Sequence, residues 1–161
     1  MSTHATDHPR VQVNMSSYSH NHNTSTWEED RAWLVKYHAS EEAMTYLDGL
    51  RLPLREVWPI CNQADFMLWY AVQYLVTNSD APIDGPGPHT NLVRAAAAIV
   101  RSILHLDSGG TSAEVTSAAA WAVWPTTVHW AAGAAGYVAP NDRGAHADIV
   151  RSFIKWEDLT P

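Results

Sequence analysis

The chain has 161 residues, of which 46% are hydrophobic and eight are Trp, so it can bury one core and is too apolar to be disordered throughout. Its 17 acidic and 10 basic residues give a net charge of −7, which argues against general nucleic-acid binding because phosphates repel a negative surface. A single cysteine, Cys61, excludes an internal disulfide, and no secretory segment is visible. These features predict a cytoplasmic protein.

The first 26 residues are rich in Ser, Thr, Asn and His and hold few aliphatic side chains. Such a segment cannot offset the entropy of ordering its backbone, so residues 1–26 are predicted to be a polar, disordered tail before a domain over residues 27–161. His20 and His22 lie in this tail, where two imidazoles on a mobile segment favour only an adventitious metal site. We therefore expect no functional metal and no other cofactor.

Two helices are predicted directly after the tail. Thr26 and Glu29 match a capping box, which predicts a first helix over residues 27–37. Ser40 is a suitable N-cap for a second helix, and Gly49 is the residue expected to end it in the left-handed conformation.

The next segments also follow helical patterns. A short third helix is predicted over residues 54–60, and an apolar fourth helix from Asp65 is expected to cross the centre of the domain. Residues 78–88 contain three Pro and two Gly, which predicts a long loop. Apolar residues at helical spacing then predict an amphipathic helix over residues 91–105.

The stretch over residues 115–141 has no charged side chain, so it is long enough to consider as a membrane span. Its Ala- and Gly-rich composition and Pro125 instead predict two helices that separate near this proline. A last helix is expected over residues 142–156. Because no segment alternates polar and apolar residues, we expect an all-α, single-domain bundle of about six to seven helices and no membrane association.

Common catalytic signatures, such as GxSxG, HExxH and a Gly-rich phosphate loop, are absent from the sequence. Cys61 has no neighbouring base that would lower its pKa, so a buried thiol is the expected state. One enzymatic alternative stays open, in which side chains from separate helices assemble a metal-dependent hydrolytic site. Its candidate residues are His105, Asp107, His129, His146 and Asp148.

An acidic run over residues 27–48 holds six acidic and two basic side chains. Two tryptophans lie beside these carboxylates, and Trp is a frequent anchor of protein interfaces. The pattern predicts a surface for a protein partner with a basic face, because opposite charges steer association. The predicted interface consists of Trp27, Glu28, Glu29, Asp30, Trp33, Glu41, Glu42 and Asp48.

Five motifs resemble those of a bacterial immunity protein family associated with polymorphic toxin systems. Leu34, Ala39, Glu42 and Ala43 match an opening L-x-x-x-x-A-C-x-E-A-x-x-W pattern, in which Ser40 stands at the cysteine and Tyr46 at the tryptophan. Trp58, Cys61, Asp65, Leu68 and Trp69 match an A-W-x-x-C-x-x-x-D-W-x-L-W pattern. Residues 104–106, 120–122 and 147–151 correspond to the later L-H-L, A-W-A and A-D-I-V-R motifs in the same order.

The resemblance implies an all-helical fold and an immunity function without catalytic residues. Together with the acidic run, it predicts an inhibitor that binds a toxin or nuclease and covers its active surface. A phage-encoded inhibitor of a host defence complex is the alternative within the same binding class. The metal-dependent hydrolase is the alternative from the enzyme class.

Overall fold

The computed structural model describes residues 20–78, 88–104 and 112–159. Within these ranges the regular elements are all helical, and seven helices have ten or more residues, which confirms the predicted fold class. The helices are α1 (Trp27–Lys36), α2 (Glu41–Leu50), α3 (Leu54–Val57), α4 (Ala64–Asn78), α5 (Pro88–Ile103), α6 (Ser112–Trp121), α7 (Val128–Val138), α8 (Arg143–Phe153) and α9 (Trp156–Leu159). Most of the loop predicted after α4 lies outside the described residues.

Side-chain caps begin the first two helices, as predicted. Thr26 Oγ1 accepts a hydrogen bond from the Glu29 N–H, and Glu29 Oε2 accepts one from the Thr26 N–H, so the capping box is complete. Ser40 Oγ accepts a hydrogen bond from the Ala43 N–H at the start of α2. Both caps satisfy backbone donors that have no partner inside the helix.

The ends of α2 and of the last predicted helix differ from the sequence prediction. Helix α2 continues past Gly49, and Arg51 takes the left-handed conformation with φ of 53°. The continuation places Leu50 against the core. At the C-terminal end, α8 stops at Phe153 and the extended Ile154 is buried before α9 begins. In both places the burial of an aliphatic side chain, Leu50 or Ile154, outweighs the local sequence pattern that predicted the helix boundary.

Helix α7 lies at the centre of the bundle, where it packs against α4, α5 and α6. Its inward positions are small, and Ala131, Ala132, Ala135 and Gly136 are all buried, so neighbouring backbones can approach closely. A 3₁₀ turn at Pro125–Thr127 separates α6 from α7, which confirms the predicted break at the proline. None of the helices in the described part of the chain is long and apolar enough to cross a membrane.

Residues 20–26 pack against the helices. The disordered tail that was predicted over residues 1–26 therefore does not include this segment. His22 and Ser25 are buried, and Arg55 Nη1 donates a 2.6 Å hydrogen bond to the Ser25 carbonyl. Composition could not reveal this packing, because most of the aromatic rings around His22 come from distant parts of the chain. These rings belong to Trp33, Tyr70, Tyr74 and Trp156, with centroids 4.8 to 6.4 Å from the His22 ring.

Removal of residues 20–24 should therefore destabilise the fold. A chain that begins at Ser25 is expected to be about 2 kcal/mol less stable than one that begins at His20, because it leaves an aromatic pocket unfilled and a buried carboxylate short of a donor. Circular dichroism during heating measures the difference, expected as a fall of several degrees in Tm. Equal Tm values for the two chains would contradict the packing of this segment.

The capping box makes a second prediction. Substitution of Thr26 by Ala removes the acceptor for the Glu29 N–H and should lower the free energy of unfolding by about 1 kcal/mol. Thr45→Ala is the matched control, because Thr45 is exposed in the middle of α2. Urea unfolding of both variants checks the result, and an equal loss in the control would show that the cap is unimportant.

Candidate functional site

Two adjoining cavities open between α2, α4 and α7. The first, of about 640 Å³, extends to α8, and the second, of about 650 Å³, extends to the end of α6. Glu42, Asp65 and Gly133 line both, so two carboxylates stand where the cavities meet. We call the two together the cleft.

Polar side chains line the first cavity. Tyr46, Asn62, Gln63 and Arg143 contribute to its wall. His146 also lines it, although only 1% of the residue is exposed, and neither ring nitrogen has a hydrogen-bond partner among the described residues. Burial lowers the pKa of His146 and outweighs the opposing effect of a nearby carboxylate, so the ring is neutral near pH 7.

Aromatic side chains line the second cavity. Phe66 and Trp69 come from α4, and Trp121 and Trp130 meet edge to face with their ring centroids 5.8 Å apart. His129 lies beside them, and burial lowers its pKa as well. None of the described residues that line this cavity is Lys or Arg, so it combines aromatic faces with the Glu42 and Asp65 carboxylates.

Helix α7 presents an aromatic face along the cleft. Trp130 is 53% exposed at the second cavity, and Tyr137, two turns later on the same side of the helix, is 75% exposed at the first. Trp121 is also exposed and contacts Trp130. We call Trp130 and Tyr137 the aromatic face of α7, and Trp121 of α6 lies beside it.

The predicted interface is partly wrong. Trp27, Asp30 and Trp33 are buried, so they do not form a surface for a partner. The two Trp side chains contribute to the core, and Asp30 accepts hydrogen bonds inside the domain. These three residues form the inward face of α1. Composition alone could not show that they are buried rather than part of an exposed acidic surface.

The other five predicted interface residues are exposed and have different roles. Glu29 belongs to the capping box, and Asp48 accepts two hydrogen bonds from Arg31, at 2.7 and 3.2 Å. Glu41 and Glu42 line the cleft, and Glu28 does not. Only Glu41 and Glu42 therefore belong to the candidate site.

The residues predicted for a hydrolytic site do not come together in the described part of the chain. His105 and Asp107 lie outside the described residues. Asp148 is exposed and accepts a 2.6 Å hydrogen bond from Arg151, and His129 and His146 line different cavities.

A different cluster forms at the N-terminal segment, and sequence reasoning missed it. His20 Nε2 lies 2.8 Å from Asp30 Oδ1, and His22 Nδ1 lies 3.3 Å from the same oxygen. Asp30 also accepts hydrogen bonds from Ser25 Oγ, at 2.6 Å, and from the Leu54 N–H, at 2.7 Å. The His-x-His spacing was visible in the sequence, but its position beside Asp30 depends on the packing of residues 20–26.

Comparisons with protein-family models, with curated proteins and with solved structures find no significant match. The resemblance to the immunity family therefore stays a prediction that rests on its motifs. Two polar residues from those motifs, Glu42 and Asp65, both line the two cavities. The apolar motif residues Leu34 and Leu68 are buried in the core.

The structure also predicts the reactivity of Cys61. Burial raises the pKa of its thiol to about 11, so very little thiolate exists near neutral pH. The native protein should therefore react slowly with a thiol-specific disulfide reagent at pH 8, and the unfolded protein should react at once. Absorbance of the released thiolate measures both rates, and rapid labelling of the native chain would contradict the buried, protonated state.

Proposed function

We propose that the protein is an inhibitor that binds a basic protein partner through the cleft and its aromatic face. The observation that supports this function best is the exposed aromatic face of α7 beside the exposed carboxylates Glu41 and Glu42. The proposal keeps the predicted class of function, an immunity-type protein that covers the active surface of a toxin or nuclease. It moves the aromatic anchors from Trp27 and Trp33 to α7.

Exposed Trp and Tyr side chains favour a protein interface. Each buries a large apolar area when a partner covers it, and its ring loses little conformational freedom. Trp130 and Tyr137 stand one at each cavity, so a partner that covers both spans the whole cleft. Small residues between them on α7, Gly133 and Ala134, leave room for a side chain from the partner.

The second cavity fits a cationic side chain. Glu42 and Asp65 provide negative charge, and the rings of Trp69 and Trp130 provide faces that attract a cation. A guanidinium or ammonium group from the partner would meet both, without a competing Lys or Arg among the described lining residues. Nucleases present such cationic groups to their nucleic-acid substrate. If this protein bound those groups, the substrate could not.

Matched variants test the proposal. The purified chain, its Trp130→Ala variant and its Glu41→Gln/Glu42→Gln variant are each immobilised and incubated with a lysate of the source cells at low and high salt. The control is Glu28→Gln/Glu157→Gln, which changes the net charge equally at two exposed positions outside the cleft. We expect the wild type and the control to retain one basic protein, with affinity reduced about tenfold or more by either cleft variant.

The retained protein is then purified and assayed for toxicity or nuclease activity with and without the chain. Inhibition by the wild type, and not by the cleft variants, supports the proposal. Three outcomes would contradict the proposed function: retention of an acidic protein, equal retention by all variants, or a retained partner whose activity the chain does not change. Binding that is insensitive to salt would contradict the role of charge.

A further inference from the structure

We propose that His20, His22 and Asp30 form a binding site for one divalent transition-metal ion with the preferences of Zn²⁺. Three potential ligand atoms, one from each residue, lie within 4.8 Å of one another. Two imidazole nitrogens and one carboxylate oxygen form a donor set that Zn²⁺ prefers. Among the described residues, this is the group of His, Cys, Asp and Glu side chains close enough to share an ion.

The distances are close to those of a tetrahedral site. Zn–N and Zn–O bonds of about 2.0–2.1 Å place neighbouring ligand atoms about 3.3 Å apart. His22 Nδ1 is already 3.3 Å from Asp30 Oδ1, and His20 Nε2 is 2.8 Å from it. The ligand atoms of His20 and His22 lie within 4.8 Å of each other, so the three atoms are close enough to share one ion after small shifts of the side chains.

His22 provides an independent observation that indicates a ligand. The residue is fully buried; Nε2 has no hydrogen-bond partner among the described residues, and Nδ1 has only the Asp30 carboxylate, 3.3 Å away and outside good hydrogen-bond geometry. A buried polar atom without a partner is costly, and such atoms are rare in folded proteins. A metal ion bound to Nδ1 would satisfy one of the two nitrogens.

The surroundings hold the ligands in place. Ser25 Oγ and the Leu54 N–H both donate to Asp30, which fixes the carboxylate in the way that outer hydrogen bonds fix metal ligands. Aromatic rings cover His22 from several sides, and Trp33 contacts both His20 and His22. The His20 side chain is 19% exposed, so an ion from solvent has access on that side.

Two of the three ligands have the protonation state that a metal requires, and His20 would give up the proton that it shares with Asp30 when an ion binds. Burial lowers the pKa of His22 more than Asp30 raises it, so the imidazole is neutral near pH 7. Burial alone would raise the pKa of Asp30, but the nearby His22 and the hydrogen bonds from Ser25, Leu54 and His20 outweigh it and lower the pKa. The carboxylate is therefore ionised and the imidazole can donate its lone pair.

The test uses the full chain without an affinity tag that contains histidine. The protein is stripped with a chelator, titrated with CoCl₂ or ZnCl₂ and desalted, and its metal content is measured by mass spectrometry. We expect one ion per chain, Co²⁺ absorption bands between about 500 and 650 nm that indicate tetrahedral coordination, and a rise in Tm with Zn²⁺.

One substitution tests His20 as a ligand, and a second serves as its control. His20→Gln should reduce the affinity for Zn²⁺ at least tenfold and weaken the Co²⁺ bands, and His38→Gln should change neither, because His38 is exposed and outside the cluster. Since His20 is partly exposed, its variant is expected to fold, and circular dichroism checks this. Absence of Co²⁺ bands in the wild type, or equal affinity of the His20→Gln variant, would overturn the proposal and leave a hydrogen-bonded cluster only.

Discussion

The buried carboxylate of Asp30 determines how the N-terminal half of the domain is assembled. Burial of a carboxylate costs free energy unless hydrogen bonds satisfy it. Asp30 accepts such bonds from residues that precede α1 in the chain and from one that follows it. His20 and Ser25 donate from the segment before α1, and the Leu54 N–H donates from the start of α3. Three parts of the chain must therefore meet at one side chain, which fixes α1 against the core.

The position of α1 has consequences for the surface. Because Asp30 faces inward, Trp33 on the same helix faces inward as well and packs on Tyr70 of α4. Exposed aromatic side chains lie instead along α7, where Trp130 and Tyr137 border carboxylates from α2 and α4. The central position of α7 depends on its small inward residues, so the same helix builds the core and the candidate site.

Local signals in the sequence predicted most of the helices, and non-local packing decided the rest. The capping box of Thr26 and Glu29 and the break near Pro125 act within a few residues, so both could be recognised before the structure. The burial of His22 depends on Tyr70 and Trp156, which no local pattern connects to it. The composition of residues 20–26 therefore indicated disorder where the structure has a packed segment.

The candidate site was predictable only in part, for the same reason. The sequence shows that Trp residues and carboxylates are abundant, but it does not show which of them face water. Glu41 and Glu42 could be recognised as surface residues because they lie in the first turn of α2, where carboxylates favour the positive end of the helix. Trp27 and Trp130 look equivalent in the sequence, and only the packing of α1 and α7 separates a core residue from an exposed one.

The free energy of unfolding of an Asp30→Asn variant tests most directly whether this carboxylate organises the domain. Urea unfolding is compared with that of Asp48→Asn, which removes an exposed carboxylate from its pair with Arg31. The structure predicts a loss of about 3 kcal/mol or more for Asp30→Asn, because buried donors lose their charged acceptor, and a much smaller loss for Asp48→Asn, because water screens the exposed pair. Equal, small losses for the two variants would contradict the central role of Asp30.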